Sequence, residues 1–147
     1  MARMSLIVLV AGLGLVAAGC GSGEKKSEES ELSEKVQAAC TGKRLSAAPK
    51  LPASFPQIEE DKLVYTQQST QGPTNVVEGY FKGDVKEAHV EFEKELKGVG
   101  FDILFNELEH QDSEISWKGE GRTGQVALRE ECGDADKTYV HITNRAA

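Results

Sequence analysis

The sequence predicts an α+β two-layer sandwich: an antiparallel sheet of about six strands, in the order ββαββββ, covered by one long amphipathic helix. Three observations lead there. Most of the β-prone runs alternate apolar with polar residues, the pattern of a sheet with one buried and one wet face. One segment, 85–99, places its apolar residues on a single helical face. The links between the last four strands are short, which favours antiparallel neighbours. A chain of 147 residues that is 39% hydrophobic and 28% charged suits one globular domain plus accessory segments.

The accessory segments come first. Residues 1–4 carry one cation, Arg3, and residues 5–18 read SLIVLVAGLGLVAA, an apolar run too short for a spanning helix. The run ends in Val16-Ala17-Ala18-Gly19-Cys20. This ending resembles the lipobox of bacterial lipoproteins, although Ala17 stands where leucine is commoner in that family. The resemblance implies that residues 1–19 are a cleaved export signal and that the Cys20 thiol carries a diacylglyceryl group. The lipid bilayer is then a partner through acylated Cys20, and the chain is held at the cell membrane on its extracytoplasmic side. Each buried methylene adds about 0.8 kcal/mol, so two fatty chains suffice for stable anchoring.

Residues 21–31, GSGEKKSEESE, contain no apolar side chain and read, with Cys20, as a flexible tether over 20–31. Leu32, Val36, Ala39 and Cys40 predict a short helix over about 31–40, and Pro49, Pro52 and Pro56 predict an irregular segment wrapping the surface as far as residue 62.

The folded domain is expected over 63–147. Residues 63–68 and 74–81 form a hairpin about a turn at Gly72-Pro73. Asp84, followed three residues later by Glu87, is a capping box for the long helix. Val85, Ala88, Phe92, Leu96 and Val99 share one helical face, and Gly98 and Gly100 end the helix, with Val99 expected to fold back in a Schellman-type cap. A third strand, 101–108, places Phe101, Ile103 and Phe105 on one face. A fourth, 113–120, pairs Ile115 with Trp117, which is expected in the core under the helix. The fifth, 124–132, alternates at Val126 and Leu128, and the sixth, 138–143, at Val140 and Ile142.

With Cys20 assigned to the lipid, Cys40 and Cys132 remain as an even pair, and an exported compartment permits a disulfide between them. It would tie the N-terminal wrap to the fifth strand.

The chain shows no nucleophile elbow, phosphate loop or His-Glu-x-x-His motif. Gly121-Arg122-Thr123-Gly124 lies between strands and reads as a hairpin loop. His89 reads as a boundary residue of the helix, and His141 as a side chain on the wet face of the last strand. Three histidines so dispersed give no metal site, and no cofactor is expected. The acidic clusters at 107–114 and 130–136 read as a solvated rim. Tyr65, Tyr80, Tyr139 and His141 are the candidate binding face. The net charge is −7, and loss of Arg3 with the signal makes it −8, which argues against nucleic acid as a partner. The expectation is a non-enzymatic, membrane-anchored module that binds an envelope protein or a small-molecule ligand. Two rivals stay open: an envelope-polymer hydrolase working through an acidic pair, and a peptide-binding or inhibitor domain acting by strand addition.

Overall fold

A computed structural model describes residues 28–147. The expected export signal, Cys20 and the expected tether as far as residue 27 lie outside the described residues. Two helices, α1 (Glu28–Thr41) and α2 (Val85–Gly98), accompany six strands: β1 (Leu63–Gln71), β2 (Thr74–Lys82), β3 (Asp102–Leu108), β4 (Asp112–Gly119), β5 (Arg122–Arg129) and β6 (Lys137–Ala146). The strands form one antiparallel sheet in the order β1-β2-β6-β5-β4-β3. The α+β class and the single six-stranded sheet are as the sequence predicts. No described helix is long and apolar enough to cross a membrane.

The covering of the sheet differs from the expectation of one helix on one face. α2 packs over β3, β4 and β5, burying Val85, Ala88, His89, Phe92 and Leu96. The same face continues under the wrapping segment, where Leu51, Phe55 and Ile58 meet Leu63 and the edge of the α2 core. Phe55, Phe101 and Trp117 stack with centroid separations of 5.1–6.3 Å. α1 lies on the opposite face, over β1, β2 and β6, where Val36, Ala39 and Cys40 bury against Tyr139 and Cys132. Each helix thus covers a different half of a different face. Among the described residues no helix covers the outer side of β3, β4 and β5.

α1 starts at Glu28, so residues 28–31 of the expected tether are helical. Glu29 and Glu31 are competent helix formers whose charge suits a helix N-terminus. Their lack of apolar side chains concealed this, because the helix is anchored only by its C-terminal half. Cys40 joins Cys132 in a disulfide with a Cα–Cα distance of 5.4 Å. Cys132 sits in the loop after β5 rather than on the strand, which ends at Arg129. Gln37 Nε2 donates to the Glu131 carbonyl at 3.2 Å, and Thr66 Oγ1 to the Ala39 carbonyl at 2.8 Å, so α1 is pinned at both sides of its last turns.

The capping box of α2 is complete: Glu87 N–H donates to Asp84 Oδ1 at 2.8 Å, and Asp84 N–H to Glu87 Oε2 at 3.3 Å. At the other end, Gly100 N–H donates to Lys97 O and Phe101 N–H to Leu96 O, with Gly100 at φ 83°. That is the Schellman pattern. The residue that folds back is Phe101, which is buried, and not Val99, which is 41% exposed.

β3 also departs from expectation. Ile103 pairs with Trp117, but Phe105 pairs with Ser116, so Leu104 is an extra residue in the strand. A bulge of this kind inverts the alternation beyond it. Phe105 therefore lies on the bare outer face, opposite to Ile103.

Candidate functional site

The register of the sheet decides where the proposed face residues lie. Opposite pairs share a face. Tyr80 pairs with Tyr139, and Glu78 with His141, so these four share the outer face. Tyr65 pairs with Gly79 and belongs to the other face, packed against the main core. The expected four-residue face is therefore divided. Tyr139 is also buried beneath α1 and the disulfide, and Tyr80 is half-buried beside it under the Lys137 ammonium, 5.3 Å from the ring centre. His141 alone of the four stands at the boundary between the covered and bare halves, its side chain 34% exposed.

A polar cluster occupies that boundary. Tyr139 Oη donates to Glu78 Oε1 at 2.5 Å, and His141 Nδ1 lies 3.2 Å from the same oxygen. These contacts from His141 and Tyr139 hold the Glu78 carboxyl below the usual carboxylate range despite its burial. Burial and the Glu78 charge push the Tyr139 hydroxyl up, so it stays a donor. The linkage sign follows. The Glu78 contribution is complete above the ordinary glutamate pKa of 4.5 and is lost as pH falls through the lowered native value. Glu78→Gln should therefore cost on the order of 1 kcal/mol near pH 7. The gap between variant and parent should be constant above pH 4.5 and narrow progressively as pH falls below it, through the lowered native value. Urea midpoints measured across that range check it; a gap independent of pH would exclude the ionic contribution.

Beyond the boundary the bare half-face is polar and paired. Arg129 bridges Asp112 at 2.9 Å and Glu114 at 3.2 Å, and Gln125 Nε2 donates to Glu114 at 3.0 Å. These partly exposed pairs fix side chains more than they stabilise the fold. At the edge the character changes: Leu104, Phe105 and Leu108 are 60%, 47% and 41% exposed. Leu104 borders a shallow groove of about 450 Å³ that runs across Ser116, Thr123 and Thr143. Among the described residues β3 pairs only with β4, so no described strand occupies its second side. Glu109 N–H donates to the Asp112 carbonyl across the turn at 2.8 Å. The antiparallel alternation then turns the main-chain groups of Asn106 and Leu108 outward, away from β4.

Ser113 and His89 form a buried pair that the sequence does not announce, being 24 residues apart: His89 Nδ1 lies 2.7 Å from Ser113 Oγ. Glu93 Oε2 is 4.0 Å from His89 Nε2. Serine, histidine and carboxylate are thus in sequence, but Ser113 is 2% and His89 6% exposed, leaving no approach for a substrate. Burial lowers the His89 pKa and keeps the ring neutral, so the pair serves as a satisfied hydrogen bond under α2. The shifted carboxyls, Glu78 and Glu93, are both lowered, the opposite of what a general acid requires. Among the described residues no three His, Cys, Asp or Glu side chains converge as metal ligands.

Compared with known proteins, the chain matches no family model, no curated protein and no solved structure.

Proposed function

We propose that the chain is a lipid-anchored, extracytoplasmic interaction module that binds an extended segment of an envelope protein along the free side of β3. The observation that carries this reading is the edge itself. Natural sheets blunt such edges with charge, proline, a bulge or a covering loop, and of these β3 carries the bulge at Leu104 and the flanking acids. Here the edge bears three exposed large apolar side chains and outward main-chain groups. Strand addition supplies affinity through main-chain hydrogen bonds and specificity through alternate side chains. Asp102, Glu107 and Glu109 flank the edge, so the complementary segment is apolar with basic residues at intervals. A second copy of this chain would set acid against acid. The lipobox resemblance supports the membrane placement, and the disulfide suits an oxidising compartment.

The test uses the full-length protein in its native host. A photo-crosslinking amino acid at Leu104 should trap one discrete segment of one envelope protein, while the same probe at Val90, exposed on α2, should not. Asn106→Pro removes an amide that the sheet does not use, together with the Asn106 Nδ2 hydrogen bond to Glu93, and should abolish the Leu104 adduct, whereas Asn106→Ala, which loses only that side-chain bond, should keep it. The protein should sediment with membranes, and Cys20→Ser should release it. Equal adducts from both positions, or an adduct indifferent to Asn106→Pro, would reject strand addition. Unchanged membrane fractionation and processing of Cys20→Ser would reject the anchor.

A further inference from the structure

β3 offers a short run to an added strand. The bulge at Leu104 twists it at one end. At the other, Glu109 opens the turn to β4, its N–H donating to the Asp112 carbonyl at 2.8 Å. Residues 105–109 lie between these limits, and every one of them is exposed.

Their side chains divide by register. Phe105 pairs with Ser116 and Glu107 with Glu114, whose carboxylate Arg129 and Gln125 hold on the outer face. Leu108 pairs with Ser113, which lies beneath His89 of α2, so Leu108 belongs to the helix side. Asn106 belongs there too, its Nδ2 donating to Glu93 at 2.8 Å. On the outer face acid therefore meets acid. Glu107 stands opposite Glu114 and Glu109 opposite Asp112, and like charges directly opposite destabilise a sheet. Arg129 neutralises only the two on β4, Asp112 at 2.9 Å and Glu114 at 3.2 Å. No cation pairs with Glu107 or Glu109 among the described residues. Two carboxylates thus line the second side of β3, on one face and two residues apart.

The backbone sets where complementary charges would come closest. Asn106 and Leu108 turn their main-chain groups outward, so they are the residues that would bond to an added strand. In an antiparallel pair, Phe105, Glu107 and Glu109 then take the non-hydrogen-bonded positions, where opposed side chains approach most closely. Antiparallel pairing is also the more stable ladder, and it is the pairing of every neighbouring pair in this sheet.

We propose, resting on strand addition, that the bound segment runs antiparallel to β3 and carries, from its N-terminal end, the order basic, apolar, basic, unrestricted, apolar. The two basic residues lie opposite Glu109 and Glu107, the apolar residues opposite Leu108 and Phe105. The unrestricted position lies opposite Asn106, where Glu93 is already paired with Lys97 at 2.7 Å and selects no charge. Glu107 and Glu109 are the residues that determine specificity.

The test is calorimetric titration of the full-length protein in zwitterionic nanodiscs, with empty nanodiscs as the blank. The probe is the end-blocked peptide Thr-Arg-Val-Arg-Thr-Ile-Thr, and saturable binding is expected. The same residues in reversed order keep the charge and should bind about tenfold more weakly, as should the peptide with glutamate for both arginines. Glu107→Gln combined with Glu109→Gln relieves repulsion, so the fold is kept, and it should weaken the first peptide about fivefold. Equal binding of forward and reversed peptides, or of the arginine and glutamate peptides, would overturn the ordered pattern, as would a double variant that binds like the parent. Asn106→Pro separates this failure from that of strand addition. If it abolishes binding where Asn106→Ala does not, yet the peptides bind alike, strand addition stands and the pattern falls. Binding indifferent to Asn106→Pro overturns both. No binding of any peptide overturns the pattern alone, because the Leu104 adduct reports on strand addition without assuming a sequence.

Discussion

Replacing Cys40 and Cys132 together by alanine should lower the unfolding free energy by about 4–5 kcal/mol. The bond closes a loop between residues 92 positions apart, and the unfolded chain loses most freedom when long loops are closed. Alanine is the correct replacement, because both cysteines are buried and serine would add two hydroxyls with no partner. At ordinary urea sensitivities the midpoint should fall by about 2–4 M. The loss should be uneven. α1 buries only Val36, Ala39 and Cys40 among its hydrophobic side chains, so without the bond it has little to hold it. Hydrogen exchange should therefore show α1 amides opening far below the global transition, while β4, β5 and α2 stay protected until the whole domain unfolds. A midpoint shift under about 0.5 M would show that the cross-link contributes nothing that packing does not already supply.

That expectation bears on where the protein works. A small domain has a total stability of about 5–15 kcal/mol, so losing 4–5 is losing about a quarter or more. The bond forms in oxidising compartments, which is also where the proposed lipid anchor would place the chain. In that arrangement the geometry is coherent. α1 is the described element nearest in sequence to Cys20, and it covers β1, β2 and β6. The β3 edge is at the far end of the sheet order from β1. α1, which follows the proposed anchor in sequence, and the proposed binding edge thus lie at opposite ends of the sheet order, with the disulfide tying α1 to the loop after β5.

The sheet and α2 were legible because their signals are local. Val126, Leu128, Val140 and Ile142 alternate at the strand period, and Asp84 with Glu87 announces a helix start within four residues. What escaped depends on partners distant in sequence. Phe105 continues the alternation of Phe101 and Ile103 on paper, but the bulge at Leu104 turns it outward, and no residue type marks that bulge. Tyr65 and Tyr80 are indistinguishable as strand tyrosines, and only their partners, Gly79 and Tyr139, place them on different faces. Glu78 reads as one more surface acid until the register sets it against His141. The path of residues 41–62 over β1 was out of reach for a related reason: the segment has no period, so its course follows from tertiary hydrogen bonds.

Two glycines carry the second large effect. Gly79→Ala and Gly124→Ala should each cost about 3 kcal/mol, the upper end of overpacking penalties, but they should differ in whether they can be rescued. At Gly79 a Cβ would collide with the Val64 carbonyl, with the Tyr65 Cα also too close. Both obstacles are backbone, in the strand that carries the bulge between Tyr65 and Gln67. No trimming of a side chain relieves them, so β1 must move off β2. At Gly124 a Cβ would meet the Thr143 carbonyl and also the six-membered ring of Trp117, the residue directly opposite in β4. The glycine is what lets an indole lie flat in a wholly buried layer. Trp117→Phe removes the Cζ2 and Cε2 atoms involved. Alone it opens a cavity, at a cost of about 1–2 kcal/mol. Part of that cost is offset because the Trp117 Nε1–H is buried without a partner among the described residues. Combined with Gly124→Ala it should recover about 1 kcal/mol, leaving the Thr143 contact as the residue of the penalty. The same Trp117→Phe change should give Gly79→Ala nothing. Denaturant midpoints for the two double-mutant cycles separate these outcomes. Equal coupling in both would mean that Gly124 is kept for its backbone freedom, and not for the space it leaves the tryptophan.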